Sequence, residues 1–275
     1  MLPVSSVQVV YKPTAECISI ARKYSEVLRT HGITTGVSVV DDVDSSTIAG
    51  KDLIVSIGGD GTILRISRCL QKPTDTPLIL PHQCGRRNSF YEDVTLEVDS
   101  IIERVLKGDF TVQLYPRGKV CVKENCFFFL NEAALINADL GKVAGFTVAI
   151  SSPGLRSKYD FEGDGLIVST APGSAGYNLS ARGPLTPAGL EILIVTHLNP
   201  IQLGMPSIIV EANLSVIEVS SRDYSVLYID GENTTSLGRR EPVRVTGSSS
   251  YLKIIRFSGV HDTVRRILGK RRIVY

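Results

Sequence analysis

The chain has no CxxC pair, no excess of charge of either sign, no long apolar run, and no internal repeat or low-complexity segment. Each absence removes a class of protein. Lys and Arg number 30 against 28 Asp and Glu, a net charge of +2, so there is no broad electrostatic case for nucleic acid. The basic run GKRR at Gly269–Arg272 reads as a solvated tail. The five cysteines, Cys17, Cys69, Cys84, Cys121 and Cys126, are odd in number. That argues against a complete disulfide framework and fits a reducing cytoplasm. His82 and Cys84 share one loop with no second ligand pair nearby in sequence, so no structural metal site is expected. The opening MLPVSSVQVVYKPT lacks a basic stretch followed by a long apolar one, and the apolar run from Cys126 is broken at Asn131 and Glu132. Neither secretion nor membrane spanning is indicated.

What is present is enough chain for two modest domains at 275 residues. Val7–Tyr11 reads as a strand, Thr14 as the cap of a helix carrying Ile18, Ala21, Val27 and Leu28, and Gly32 as its stop. Val37–Val40, Leu53–Ile57 and Pro77–Leu80 supply further strands, and Asp99–Lys107 a helix ended by Gly108. After Asp109 helical periodicity nearly vanishes and short strand candidates follow closely, until His261–Leu268 offers a closing helix. The expected architecture is an α/β domain over 1–110 and a mainly β domain over 111–258. A C-terminal helix and tail over 259–275 is expected to pack back on the first domain.

The stretch LIVSIGGDGTILRISR, Leu53–Arg68, joins a buried strand to a helix through glycines. Gly58, Gly59 and Gly61 let backbone amides approach a ligand, and the helix start adds unpaired N–H groups, which suits an anion. Asp60 contradicts that charge logic. Beside phosphate a carboxylate is repelled unless it accepts a proton or holds a metal ion, whereas an Asp-Gly turn or helix cap needs no ligand at all. Both readings stand for GGDG alone.

The acid-glycine pattern recurs at Asp164, before a strand, and at Asp230, after one. Between them Thr170–Arg182 forms a glycine- and serine-rich turn with a short helix carrying Tyr177, Leu179 and Ser180, suited to wrapping a polar ligand. In FFFLNEAALIN, Asn131 and Glu132 fall within an otherwise apolar strand. There they must be solvated, paired or used, because one unpartnered buried polar group costs about 1–3 kcal/mol.

GGDGT at Gly58–Thr62, NE at Asn131 and Glu132, GDGLIVST at Gly163–Thr170, Tyr177 with LSA at Leu179–Ala181, and DG at Asp230 together resemble the NAD kinase family. That family lies within a wider group that includes diacylglycerol kinases and phosphofructokinases. GGDGT is shared by the wider group; the later elements favour the dinucleotide branch. The resemblance implies a Rossmann-like N-terminal domain, a β-sandwich C-terminal domain and an active site between them. It implies transfer of the terminal phosphoryl of ATP, or of polyphosphate, to the adenosine-ribose 2′-hydroxyl of NAD. Magnesium or another divalent cation would accompany ATP, no metal ligand being identified, and a homodimer or homotetramer would be the assembly. Asp60 matches the catalytic acid. Gly58, Gly59, Gly61 and Thr62 match donor positions, and Asn131, Glu132, Asp164, Tyr177, Ser180 and Asp230 match acceptor positions.

Three departures lie near the implied site. The usual GINxGxxGFL loop is LPHQCGRRNSFY, Leu80–Tyr91, whose Arg86 and Arg87 are candidates for holding phosphate. TPTGSTAY becomes TAPGSAGY, placing Ala175 and Gly176, and TPI.PH.LS.RP becomes THLNPIQLGMPS at Thr196–Ser207. These departures leave two alternatives: a kinase of another hydroxyl compound, small molecule or lipid, and a nucleotide-binding regulator without catalysis.

Overall fold

A computed structural model describes residues 4–74, 76–84, 89–92, 96–258 and 263–270. The chain forms two compact units, Met1–Tyr115 with Leu252–Tyr275, and Pro116–Tyr251. Residues 252–258 thus group with the first unit, not with the β domain assigned to them from sequence.

In the first unit, β1 (Ser6–Tyr11), α1 (Ala15–Thr30), β2 (Thr34–Val39), a one-turn α2 (Ser45–Ile48), β3 (Leu53–Gly58), α3 (Asp60–Cys69), β4 (Leu78–Gln83) and α4 (Val98–Lys107) alternate. The strands form a parallel sheet in the order β2-β1-β3-β4. Every residue of β3 is buried, as in a strand covered on both faces. Ala21, Tyr24, Val27 and Leu28 of α1 and Ile101, Ile102 and Val105 of α4 share one core cluster with Val7, Val9, Leu53, Val55 and Ile57. Truncating a residue such as Leu53 to Ala there costs about 2–5 kcal/mol. Thr14 caps α1 by accepting from the Cys17 N–H, and Gly108 ends α4 in the left-handed region at φ 75°.

β5 (Thr111–Val122) carries the chain into the second unit as one long strand. There follow β6 (Asn125–Phe129), β7 (Glu132–Asn137), β8 (Ala144–Ser152), β9 (Leu155–Gly163), β10 (Gly165–Thr170), α5 (Tyr177–Ser180) and β11 (Ile192–Leu198). β12 (Ile208–Glu211), β13 (Val216–Ser221), β14 (Ser225–Ile229) and β15 (Glu232–Leu237) complete the unit's own strands, and β16 (Val243–Arg256) returns to the first. α6 (Thr263–Lys270) closes the described chain. One antiparallel sheet runs β12-β11-β10-β7-β14-β15. In the other, β13 pairs β16 and β8, and β9 pairs β8. Ala133, Leu135, Val168, Leu193, Val195 and Leu227 of the first sheet meet Phe146, Val148, Ile150, Ile217, Val219 and Val245 of the second in one core. The unit is a β-sandwich. The fold is an N-terminal α/β domain with a parallel sheet and a mainly β C-terminal domain.

Two expectations change. Asn131 and Glu132 do not lie inside one strand: β6 ends at Phe129 and β7 begins at Glu132, so Asn131 falls in the break and Glu132 opens the next strand. Four of the five cysteines form disulfides, Cys17–Cys84 and Cys121–Cys126, while Cys69 keeps a buried thiol. The odd count conceals both pairings. Folding brings the first turn of α1 to the end of β4, and hairpin register sets Cys121 opposite Cys126.

Candidate active site

In the first unit, the site begins at the carboxyl edge of β3, where ligands of parallel sheets bind. Gly59 precedes α3 and Asp60 is its first residue, so Asp60 stands at the positive end of that helix. Its carboxylate is gripped from one side. Oδ2 accepts from the Ser89 N–H and hydroxyl, each at 2.8 Å, and Oδ1 from the Phe90 N–H at 3.1 Å. Thr62 is buried with its hydroxyl folded against Gly58, where a Cβ would lie 2.2 Å from Oγ1. These two candidate phosphate binders therefore pack on each other. Gly61 is exposed, and a Cβ there would meet nothing within 4 Å.

In the second unit, the carboxylate of Asp230 organises the break between β6 and β7. It accepts from the N–H groups of Leu130 (2.9 Å), Asn131 (2.6 Å) and Glu132 (3.2 Å), donors left over where the ladder stops. Asp230 holds φ at 49° to do so, followed by Gly231 at 79°. The glycine-rich turn covers the break from the other side. Thr170 N–H donates to Asn131 O, the Thr170 hydroxyl to Leu130 O, and Gly173 lies so close that a Cβ would sit 2.0 Å from Asn131 O. The Tyr177 N–H donates to the Glu132 carboxyl.

This leaves a polar cluster with unfilled positions. Asn131 Oδ1 and Glu132 Oε2 are buried with no hydrogen-bond partner among the described residues, and the two residues are only 8% and 6% exposed. Groups of this kind are rare unless something else satisfies them. Burial, then the charge of Asp230, pushes the Glu132 carboxyl up to about 8. Burial also raises Asp230, but its three amides and the Arg117 guanidinium oppose the rise. Glu132 therefore keeps its proton at neutral pH, while the three amides and Arg117 favour the ionised form of Asp230 against its burial. Arg117 is itself 2% exposed, lies over the Phe128 ring and is lowered to about 10 by burial. The cluster offers a neutral O–H donor, an amide and an exposed Tyr177 ring to a polar ligand.

Both halves of this arrangement match one family. Its N-terminal domain model, ATP-NAD kinase N-terminal domain, matches residues 7–110, and ATP-NAD kinase C-terminal domain matches residues 130–257. The chain belongs to the ATP-NAD kinase family. It is 32% identical over 220 residues to an NAD kinase of Thermococcus sibiricus, covering 79% of this chain and 78% of the relative. An NAD kinase of Caldicellulosiruptor bescii is 31% identical over 206 residues, covering 74% and 77%. The crystal structure of an NAD kinase from Archaeoglobus fulgidus in complex with ATP aligns with a TM-score of 0.77 at 25% identity, covering 96% and 98%.

Of the residues singled out from sequence, Asn131, Glu132, Asp230 and Tyr177 come together. Asp164 lies at the opposite end of β10 from Ser169, the partner of Glu132, about 16 Å away along the strand. It accepts from Asn199 Nδ2 at 2.7 Å. Tyr177 senses both ends: burial, then Asp164 and Glu132, raises its phenol. Ser180 is exposed. Arg86 and Arg87 lie outside the described residues. Sequence reasoning passed over Asn178, wholly buried, whose Nδ2 donates to Ser174 O and Pro184 O and whose Oδ1 accepts from Thr196. It also missed Arg117 and Ser89, which nothing in their local sequence marks. Among the described residues no group of three or more His, Cys, Asp or Glu is placed to hold a metal ion.

Proposed function

We propose that this chain transfers the terminal phosphoryl group of ATP to the adenosine-ribose 2′-hydroxyl of NAD, giving NADP. The observation that carries the reading is Asp60, a carboxylate at a helix start with its orientation fixed by three donors, in a chain whose two halves both match the ATP-NAD kinase family. In this reading Asp60 accepts the hydroxyl proton as that oxygen attacks phosphorus. Gly59 is half-buried and Gly61 exposed in the same turn, where their amides suit the donor phosphates. Asn131, neutral Glu132 and Tyr177 hold the acceptor, and Asp230 holds Asn131 and Glu132.

Magnesium fits the donor set in one way. Asp60 is the carboxylate of this turn and its acceptor capacity is largely filled, so the ion would be carried chiefly by the triphosphate, as is common for Mg²⁺. It would supply charge neutralisation at the transferring phosphoryl. A homo-oligomer suits the open edge of β12, where Ile209 is exposed. No described helix is long and apolar enough to cross a membrane. A cytoplasmic setting must accommodate two disulfides, which intracellular proteins of hyperthermophilic prokaryotes do retain.

The test is incubation with ATP, Mg²⁺ and a panel of hydroxyl acceptors including NAD and NADH, with products read by mass. NADP from NAD, lost in Asp60→Asn, is the expected result; loss of the general base costs about 10²–10⁴ in rate. Phosphorylation of a different acceptor with NAD untouched would refute the substrate, and NAD binding without turnover would refute catalysis.

A further inference from the structure

The hydrogen bonds of Asp60 do more than hold it. An ionised carboxylate has about four acceptor directions, two on each oxygen. Ser89 fills both on Oδ2, with its N–H and its hydroxyl, and the Phe90 N–H fills one on Oδ1. Among the described residues one direction stays open, and it is on Oδ1.

The donors are themselves clamped. Arg256, wholly buried, donates through Nη1 to Phe90 O at 2.8 Å, through Nη2 to the Tyr115 hydroxyl at 2.7 Å and through Nε to Gln113 Oε1 at 2.8 Å. Phe90 thus accepts from Arg256 at its carbonyl and donates to Asp60 through its N–H, the two peptide groups that flank its Cα. Next to it the Tyr91 hydroxyl donates to Gly59 O at 3.1 Å and lies 2.9 Å from Ser56 Oγ. Glu92 then accepts from the Phe257 N–H at 2.7 Å and from the Ser258 N–H and hydroxyl. Four consecutive residues, Ser89–Glu92, are pinned one after another, and the pinning ends at the carboxylate.

We propose that Ser89 is a positioning residue that reserves Oδ1 of Asp60 as the proton-accepting atom, and that Arg256 acts through the backbone of Phe90 to keep it so. The proposal rests on the reading of Asp60 as the base. In the step concerned, the acceptor hydroxyl oxygen bonds to the γ-phosphorus while its proton passes to Asp60 Oδ1. The bond from that phosphorus to the bridging oxygen breaks, and its electron pair leaves with ADP. With the Ser89 hydroxyl gone, Oδ2 competes for the proton and the carboxylate can turn, which slows the chemical step without touching either substrate.

Steady-state and single-turnover kinetics of Ser89→Ala, Ser89→Thr and Arg256→Lys, beside Asp60→Asn, test this, with thermal unfolding of each variant as control. Ser89→Ala is expected to lose about tenfold in kcat with both KM values within about twofold, and Ser89→Thr to recover most of that loss. Arg256→Lys, which keeps the charge but not the three-way reach, is expected to show the same split between kcat and KM. Wild-type kcat in Ser89→Ala, a loss confined to KM, or no recovery in Ser89→Thr would overturn the proposal. If Asp60→Asn is inactive while Ser89→Ala is normal, the positioning role fails alone. If Asp60→Asn keeps its turnover, the role of Asp60 fails and the proposal with it.

Discussion

Glu132 donates its backbone N–H to the carboxylate of Asp230 at 3.2 Å, and burial followed by the charge of Asp230 holds the Glu132 carboxyl up to about 8. Asp230 collects three amides and the field of Arg117, whereas Glu132 has the Tyr177 N–H against burial and the charge of its neighbour. Of these two carboxyl groups, Asp230 shapes the backbone of Leu130–Glu132 and Glu132 keeps its proton at neutral pH.

That division gives stability a pH dependence of known sign. The folded Glu132 carboxyl sits at about 8 and its ordinary value is 4.5, so the folded chain binds the extra proton between those values. Its contribution is fully present below about 4.5, is lost progressively as pH rises towards 8, and is constant above, with a size on the order of a few kcal/mol. Thermal unfolding followed from pH 5 to 9 should show Glu132→Gln losing less stability than the parent across this window. NAD affinity of the variant at pH 7 should stay within a few-fold, since an amide also donates. Parallel stability curves would show that Glu132 is ionised throughout.

A second expectation separates two glycines that look alike in sequence. A Cβ on Gly173 would lie 2.0 Å from Asn131 O, a backbone atom that cannot turn away, so Gly173→Ala should cost about 1–3 kcal/mol through overpacking and weaken NAD binding as the break shifts. Gly61 has open space and lies in α3. Gly61→Ala should leave the melting temperature unchanged or raise it, by about 0.5–1 kcal/mol of helix preference, and any loss should appear in the KM for ATP. Denaturant unfolding with two-substrate kinetics on both variants decides the matter.

The disulfides supply a third. Cys17 and Cys84 close a separation of 67 residues, Cys121 and Cys126 one of 5, and loop-closure entropy favours the longer crosslink at about 4 kcal/mol against about 2. Unfolding in reductant should therefore lower the midpoint, and Cys17→Ser should reproduce more of the drop than Cys121→Ser. Equal effects would mean that residual structure in the unfolded chain, not loop length, sets the cost.

Much of the fold was legible because it follows periodicity. β1, β3, β4, α1 with its Thr14 cap and α4 with its Gly108 stop lie where apolar spacing and caps put them. β9 and β15 were not anticipated, because LRSKYDFEG and ENTTSL are polar strands paired on one side, at the edges of their sheets, and carry no apolar run. At the site, Asp60, Asn131, Glu132 and Asp230 are visible as acids and amides out of place among apolar residues and glycines. Ser89, Arg117 and Arg256 are not. A serine or an arginine in a mixed segment looks solvated, and burial of the two arginines depends on partners far along the chain, such as Ser250 for Arg117 and Phe90 for Arg256.

The return of the chain through β16 sets an order of events on the ribosome. Lys253 and Ile254 pair with Leu78 and Ile79 of β4, and Ile255 belongs to the core that α1 and α4 help to form. These residues emerge only after the whole of Pro116–Tyr251 has been made. The sandwich has all its strands earlier, apart from the end of β16, so the first unit cannot complete its sheet until the second has been made. The first unit begun is completed after the second, and Arg256, which donates to Phe90 O behind Asp60, is made only once Pro116–Tyr251 has been.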